Sequence, residues 1–167
     1  GPRPPSAMQW DIVLNHCPGG PGDCHAHVVE HHEGVAGGVY TAPDHEWYSF
    51  LEFRLTVVDT DGLQGTDVVA VEPVSVTNSF ASAPPGMKIV LGGIERIAPF
   101  DESTIVNSTN SLSAVSPQIL GPTQYYGTSW SDAGAQTHAF VAGETGSSRT
   151  ATFAACEALD VCDGRDN

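Results

Sequence analysis

Ser49-Phe50-Leu51-Glu52-Phe53-Arg54-Leu55-Thr56-Val57-Val58-Asp59 is the stretch on which the fold turns. Leu51, Phe53, Leu55 and Val57 take alternate positions, with Glu52, Arg54 and Thr56 between them. Successive side chains of a strand point to opposite faces, so this period of two describes a strand with one apolar face. Thr60-Asp61-Gly62 has turn chemistry, and Val68-Val69-Ala70-Val71 reads as the returning strand of a hairpin.

Working outward, Trp10-Asp11-Ile12-Val13-Leu14 also alternates and predicts a first strand. A cysteine loop and a histidine-rich stretch fill 16–33. Gly37-Gly38 interrupts the pattern before a short predicted strand at Val39-Tyr40-Thr41. Glu72-Pro73 reads as a boundary. Ser75 to Phe80 begins a second series, and Met87-Lys88-Ile89-Val90-Leu91 runs into a Gly92-Gly93 turn. Further short strands are predicted near 94–98, 103–107, 111–115, 124–130, 137–141 and 148–153. Turn signals about 8–12 residues apart are the mark of a small sandwich or barrel.

Composition agrees. The chain has 167 residues, of which 18 are Gly and 12 are Pro, and only 16% are charged. Such a chain builds short strands joined by many turns. The expected fold is all-β, two tandem small β-sandwich modules at 8–73 and 74–154. A linker at 1–7 precedes them and a cysteine-bearing acidic tail at 155–167 follows. Gly1-Pro2-Arg3-Pro4-Pro5 reads as a linker or a cut end, as in a fragment of a larger protein.

The formal charge of −14 repels a phosphate backbone and an anionic lipid surface, which argues against nucleic-acid and membrane partners. It favours solubility or attraction of divalent cations. No apolar run approaches the roughly 18 residues of a spanning helix. The four cysteines form two local pairs, Cys17 with Cys24 and Cys156 with Cys162. Two small disulfide loops, and hence an oxidising, extracellular or cell-surface location, are expected, although four cysteines allow three connectivities. Neither spacing matches a structural zinc hairpin or a redox pair.

Six of the seven histidines fall between 16 and 45. His25 and His27, two apart, project to one face of an extended strand. His16 and His25 flank the first cysteine pair, which brings them together if Cys17 bonds Cys24. With His45, these rings make a candidate site for zinc or copper, with Asp44 or Glu46 as a carboxylate ligand or supporting partner. The plain alternative is rings that pin irregular loops. His31, His32 and Glu33 read as a solvated face.

Asp59 and Asp61 before Gly62 can wrap calcium, as can Asp160, Asp163 and Asp166 in the tail, though an ordinary hairpin turn is the preferred explanation of the first set. Trp47, Tyr48, Tyr125, Tyr126 and Trp130 are candidates for a sugar-stacking platform, with burial in the core weighing more heavily for Trp130. No catalytic residues stand out: there is no G-x-S-x-G elbow and no phosphate-binding glycine loop.

Trp10, His16-Cys17, Cys24-His25-Ala26-His27, Thr41 to Glu46 and Leu55 to Leu63 carry a resemblance to a divergent PKD-like module. Such modules are found C-terminal to bacterial glucose/sorbosone dehydrogenase-type domains. Ala83 to Met87, Ser129 to His138 and Thr150 to Phe153 resemble the β-module that often follows. The tail, through Cys162-Asp163-Gly164 and Asp166-Asn167, is similar to Asp-rich metal-binding motifs of exported myxobacterial proteins. The resemblance implies Ig/PKD-like sandwiches and a non-catalytic accessory role, binding or spacing, in a secreted bacterial protein. Polysaccharide, neighbouring domains or subunits are then the expected partners. A structural subunit of an extracellular filament and a metalloenzyme built on the histidine cluster are the alternatives.

Overall fold

The computed structural model describes residues 3–18 and 20–156. The chain is all-β, and among the described residues no helix is long and apolar enough to cross a membrane. It divides into two compact units between Val74 and Ser75.

The first unit is one antiparallel sheet of β1 (Met8–His16), β2 (His25–Glu33), β3 (Ser49–Val58) and β4 (Gln64–Val71), in the order β2-β1-β3-β4. Its buried residues lie on or beside the two central strands: Ile12, Val13, Asn15, Cys17, Ser49 and Leu51. The outer strands β2 and β4 are exposed along their whole length. Register places Trp10, Ile12 and Leu14 of β1 opposite Leu55, Phe53 and Leu51 of β3, so the apolar faces of both strands coincide. This is the alternation visible in Ser49 to Asp59.

The stretch 25–33, left without a strand in the sequence reading, is β2. Its pattern is obscured because the register shifts opposite Ile12 and Val13: Val13 pairs with Val28 and Ile12 with Glu30, leaving Val29 as the extra residue of a bulge. A bulge inverts the facing of everything beyond it. His25 and His27 therefore share the face of His16 and Leu14, whereas His31 shares the opposite face with Asp11. In contrast, Val39-Tyr40-Thr41 joins no ladder. The segment after β2 crosses the apolar face instead, tied by the Trp10 Nε1–H donating to the Val35 carbonyl at 3.1 Å. Tyr40 sets its ring edge-on to Phe53, with centroids 6.0 Å apart. A cavity of about 430 Å³ lies under this segment.

The second unit holds two sheets. One contains β5 (Ser75–Ala83), β8 (Phe100–Ile105), β10 (Gln118–Leu120), β11 (Thr123–Trp130) and β13 (Ser148–Ala155) in the order β10-β11-β13-β5-β8. The other contains β6 (Lys88–Leu91), β7 (Ile94–Ile97), β9 (Thr109–Ala114) and β12 (Thr137–Val141) in the order β12-β9-β6-β7. Phe80, Trp130, Ala151 and Phe153 from the first sheet and Ile89, Leu91, Leu112, Ala114 and Phe140 from the second share one buried cluster. Inward positions two apart on each strand supply it, the pattern of face-to-face sheets. Burying one such aliphatic or aromatic side chain contributes about 1.5–3 kcal/mol. Gly92 and Gly93 join β6 to β7 with φ of 57° and 84°, the two positive angles that a two-residue type I′ hairpin requires.

Polar groups are satisfied inside this sandwich. Asn78 is fully buried; its Nδ2 donates to Thr104 Oγ1 at 2.8 Å, and its Oδ1 accepts from Ser147 N (2.9 Å) and Ser147 Oγ (2.7 Å). That clamp draws the preceding Gly146 so close to β5 that a Cβ there would stand 2.1 Å from the Thr77 carbonyl oxygen.

Candidate metal centre

His16 is the last residue of β1. The ladders set it between His25, the first residue of β2, and Ser49, the first of β3. Immediately beyond it, Cys17 is bonded to Cys24, which immediately precedes His25. A sheet spacing of about 4.8–5.5 Å and a covalent tie one residue further on leave the two rings little freedom to separate. Their centroids are 4.9 Å apart, edge to face.

The chain entering β3 supplies the remaining groups. Ser49 Oγ–H donates to the Glu46 carbonyl at 3.0 Å, and Cys17 N–H to the Tyr48 carbonyl at 2.9 Å. These bonds lay His45 and Glu46 over His16. The His45 ring lies 4.7 Å from that of His16 at 69°. His45 Nδ1 is 3.1 Å from Glu46 Oε2, and His16 Nε2 is 2.8 Å from Glu46 Oε1. One ligand atom each from His16, His45 and Glu46 falls within 4.8 Å of the others.

His16 Nε2 is buried without a hydrogen bond, and the Glu46 oxygen 2.8 Å away pairs with the ring as an ion pair when the imidazole is protonated. With the ring neutral, its nitrogen lone pair and the carboxylate oxygen converge on a point where a cation can bind both. Tetrahedral zinc, with bonds of about 2.0–2.1 Å, holds its ligand atoms about 3.3–3.4 Å apart. The separations here, from 2.8 Å upward within a 4.8 Å limit, bracket that value. Two imidazoles on one such ion have ring centroids about 5 Å apart, the spacing of His16 to both His25 and His45.

All four histidines singled out in the sequence thus lie in one series of ring contacts, since His27 is 4.9 Å from His25. They are not equivalent: His16 and His45 are half-buried beside the carboxylate, and His25 and His27 are exposed. Glu46, one of the two carboxylates offered in the sequence as ligand or supporting partner, stands inside the cluster. His31 and His32 are exposed and occupied by carboxylates: His31 by Asp11 (2.6 Å) and Glu33 (3.2 Å), His32 by Glu30 (2.8 Å).

The other candidates fare differently. Asp59 Oδ1 accepts from Asp61 N–H (2.9 Å) and Leu63 N–H (2.8 Å), which makes its carboxylate the internal clasp of the β3–β4 turn. Asp160, Asp163 and Asp166, and the partner expected for Cys156, Cys162, lie outside the described residues. Trp130, for which burial already weighed more heavily, is a core residue at 4% exposure, its Nε1–H bonded to the Gln136 carbonyl. Tyr125 packs against that core, and Tyr126, next along β11, is half-buried. Trp47 and Tyr48 are half-buried with rings 4.7 Å apart, and the Tyr48 hydroxyl donates to Glu72 at 3.0 Å.

One further cluster lies in the second unit. Asp132 Oδ2 faces His138 Nε2 (3.2 Å) and Arg149 Nε (2.9 Å), while His138 Nδ1 donates to the Ala135 carbonyl at 2.8 Å. These contacts tie the turn between β11 and β12 to Arg149 of β13. No protein-family model, curated protein or solved structure matches the chain.

Proposed function

We propose that the chain is a non-catalytic accessory module of an exported protein, whose first unit is stabilised by one divalent transition metal held by His16, His45 and Glu46. The observation that carries this reading is the buried His16 Nε2 beside a Glu46 oxygen, with one ligand atom each of His16, His45 and Glu46 within 4.8 Å of the others. His25 lies outside the three residues whose ligand atoms fall within 4.8 Å of one another, but its ring touches that of His16. A small ring movement would bring it in as a fourth ligand and close the coordination sphere in the manner of structural rather than catalytic sites. The Cys17–Cys24 disulfide supports export, because such bonds persist in oxidising compartments. Net negative charge favours capture of a cation.

Ligand that binds only the folded chain adds about 2.7 kcal/mol of stability at a hundred times its dissociation constant. Zinc added to chelator-treated protein is therefore expected to raise the thermal midpoint, and His45→Ala to abolish the rise. An unchanged midpoint in the unaltered chain would refute the reading. Polysaccharide binding has one specific support, the partly exposed Trp47–Tyr48 ring pair next to the metal segment. Retardation in affinity gels, lost in Trp47→Ala, tests it.

A further inference from the structure

His27 has no place in a four-ligand site made of His16, His45, Glu46 and His25, yet it stands on the same sheet face, one ring contact away. Before the Val29 bulge, β2 presents His25 and His27 to the face of His16 and Leu14. The two rings are 4.9 Å apart at 86°. That separation again suits two imidazoles on one ion. Both residues are exposed on the outer strand, whereas His16 and His45 side chains keep only 19% and 21% of their accessibility. The rings form an unbroken file, His27 to His25 to His16 to His45, running from solvent to the half-buried centre.

We infer that His27 and His25 form an outer capture site for a divalent transition metal, which passes to the inner centre by exchange of ligands with His25 held throughout. This rests on the inner site proposed above. Zinc has no geometric preference from d electrons and reaches five-coordination readily, so an incoming ligand can bind before an outgoing one leaves. Transfer along adjacent rings then avoids returning the ion to full hydration at each step. No bond is made or broken in the protein, and any proton on an incoming imidazole leaves to water.

The inference has a kinetic signature. A group that binds the ion in transit but not at rest accelerates uptake and release by the same factor and leaves affinity unchanged. A permanent ligand instead raises the release rate when removed. The experiment uses the full chain stripped of metal, cobalt(II) as the probe and its visible absorption as the readout, with release measured into an excess of chelator. In His27→Ala and His27→Gln, uptake and release are expected to slow together by the same factor, about tenfold, as for a transfer barrier raised by about 1.4 kcal/mol. The dissociation constant stays within twofold. His32→Ala, an exposed histidine beyond the bulge, is expected to leave both rates unchanged. Faster release with weaker binding would make His27 a permanent ligand and overturn the relay, as would unchanged rates in both His27 variants. If the unaltered chain takes up no cobalt, the inner site itself is refuted; if it does and His27 proves irrelevant, only the relay is.

Discussion

His16 and His25 face each other across the β1–β2 ladder with ring centroids 4.9 Å apart, and the Cys17–Cys24 disulfide closes the same hairpin one residue beyond. Covalent tie and ring contact therefore act on one geometry. In the chain-entropy account, linking residues seven apart removes about 2–3 kcal/mol of freedom from the unfolded chain. Cys17→Ser/Cys24→Ser is expected to lower the stability of the first unit by that amount in denaturant titration and to weaken zinc binding. Unchanged affinity would show that the sheet alone orients the two rings.

His31 tests the facing imposed by the bulge. Its hydrogen bond to Asp11, and then that to Glu33, hold the imidazole above its ordinary value of 6.5. The folded chain favours the protonated ring, so this contribution is complete below pH 6.5 and disappears as pH rises through the raised value. An NMR titration of His31 is expected to give a midpoint above 6.5 that falls back in Asp11→Asn. The same midpoint in both proteins would place His31 off the Asp11 face.

Asp132 provides the opposite sign. Burial pushes its carboxyl up, but the Gly134 N–H, His138 and Arg149 together outweigh burial and hold it below 3.8. Its contribution is present above pH 3.8 and lost as pH falls through the lowered value. A Cβ on Gly134 would stand 2.5 Å from the His138 ring. Gly134→Ala is therefore expected to displace His138 and raise the Asp132 titration midpoint, read by carboxyl NMR. An unmoved midpoint would show that the turn is not held by this cluster.

Asn78 is the polar centre of the second unit. Asn78→Ala leaves the Ser147 N–H and the Thr104 hydroxyl without their buried partner. A buried group so deprived costs about 1–3 kcal/mol. Urea denaturation is expected to show a loss in that range, whereas a neutral outcome would mean that water reaches the site.

Strands with one apolar face were legible in the sequence. Ser49 to Val58 alternates cleanly because β3 is central, with one face apolar and the other carrying Glu52, Arg54 and Thr56. The His25–Glu33 strand was hidden, since a fully exposed outer strand has no apolar face and the Val29 bulge breaks its period. Gln118–Leu120, three residues long, is too short to carry a period. Val39 to Thr41 has strand residues but no ladder to join. At the site, spacing announced the four histidines, because His25 and His27 are two apart and His16 and His25 flank the cysteines. The prominence of Glu46 depends on the Ser49 and Tyr48 contacts that fold its segment back, and these are tertiary.

The central claim is most directly tested by elemental mass spectrometry on the full chain purified without a histidine tag or chelator. About one equivalent of zinc or copper is expected, lost in His16→Ala/His45→Ala and retained in His31→Ala/His32→Ala. No bound transition metal, or an equal content in all three proteins, would contradict it.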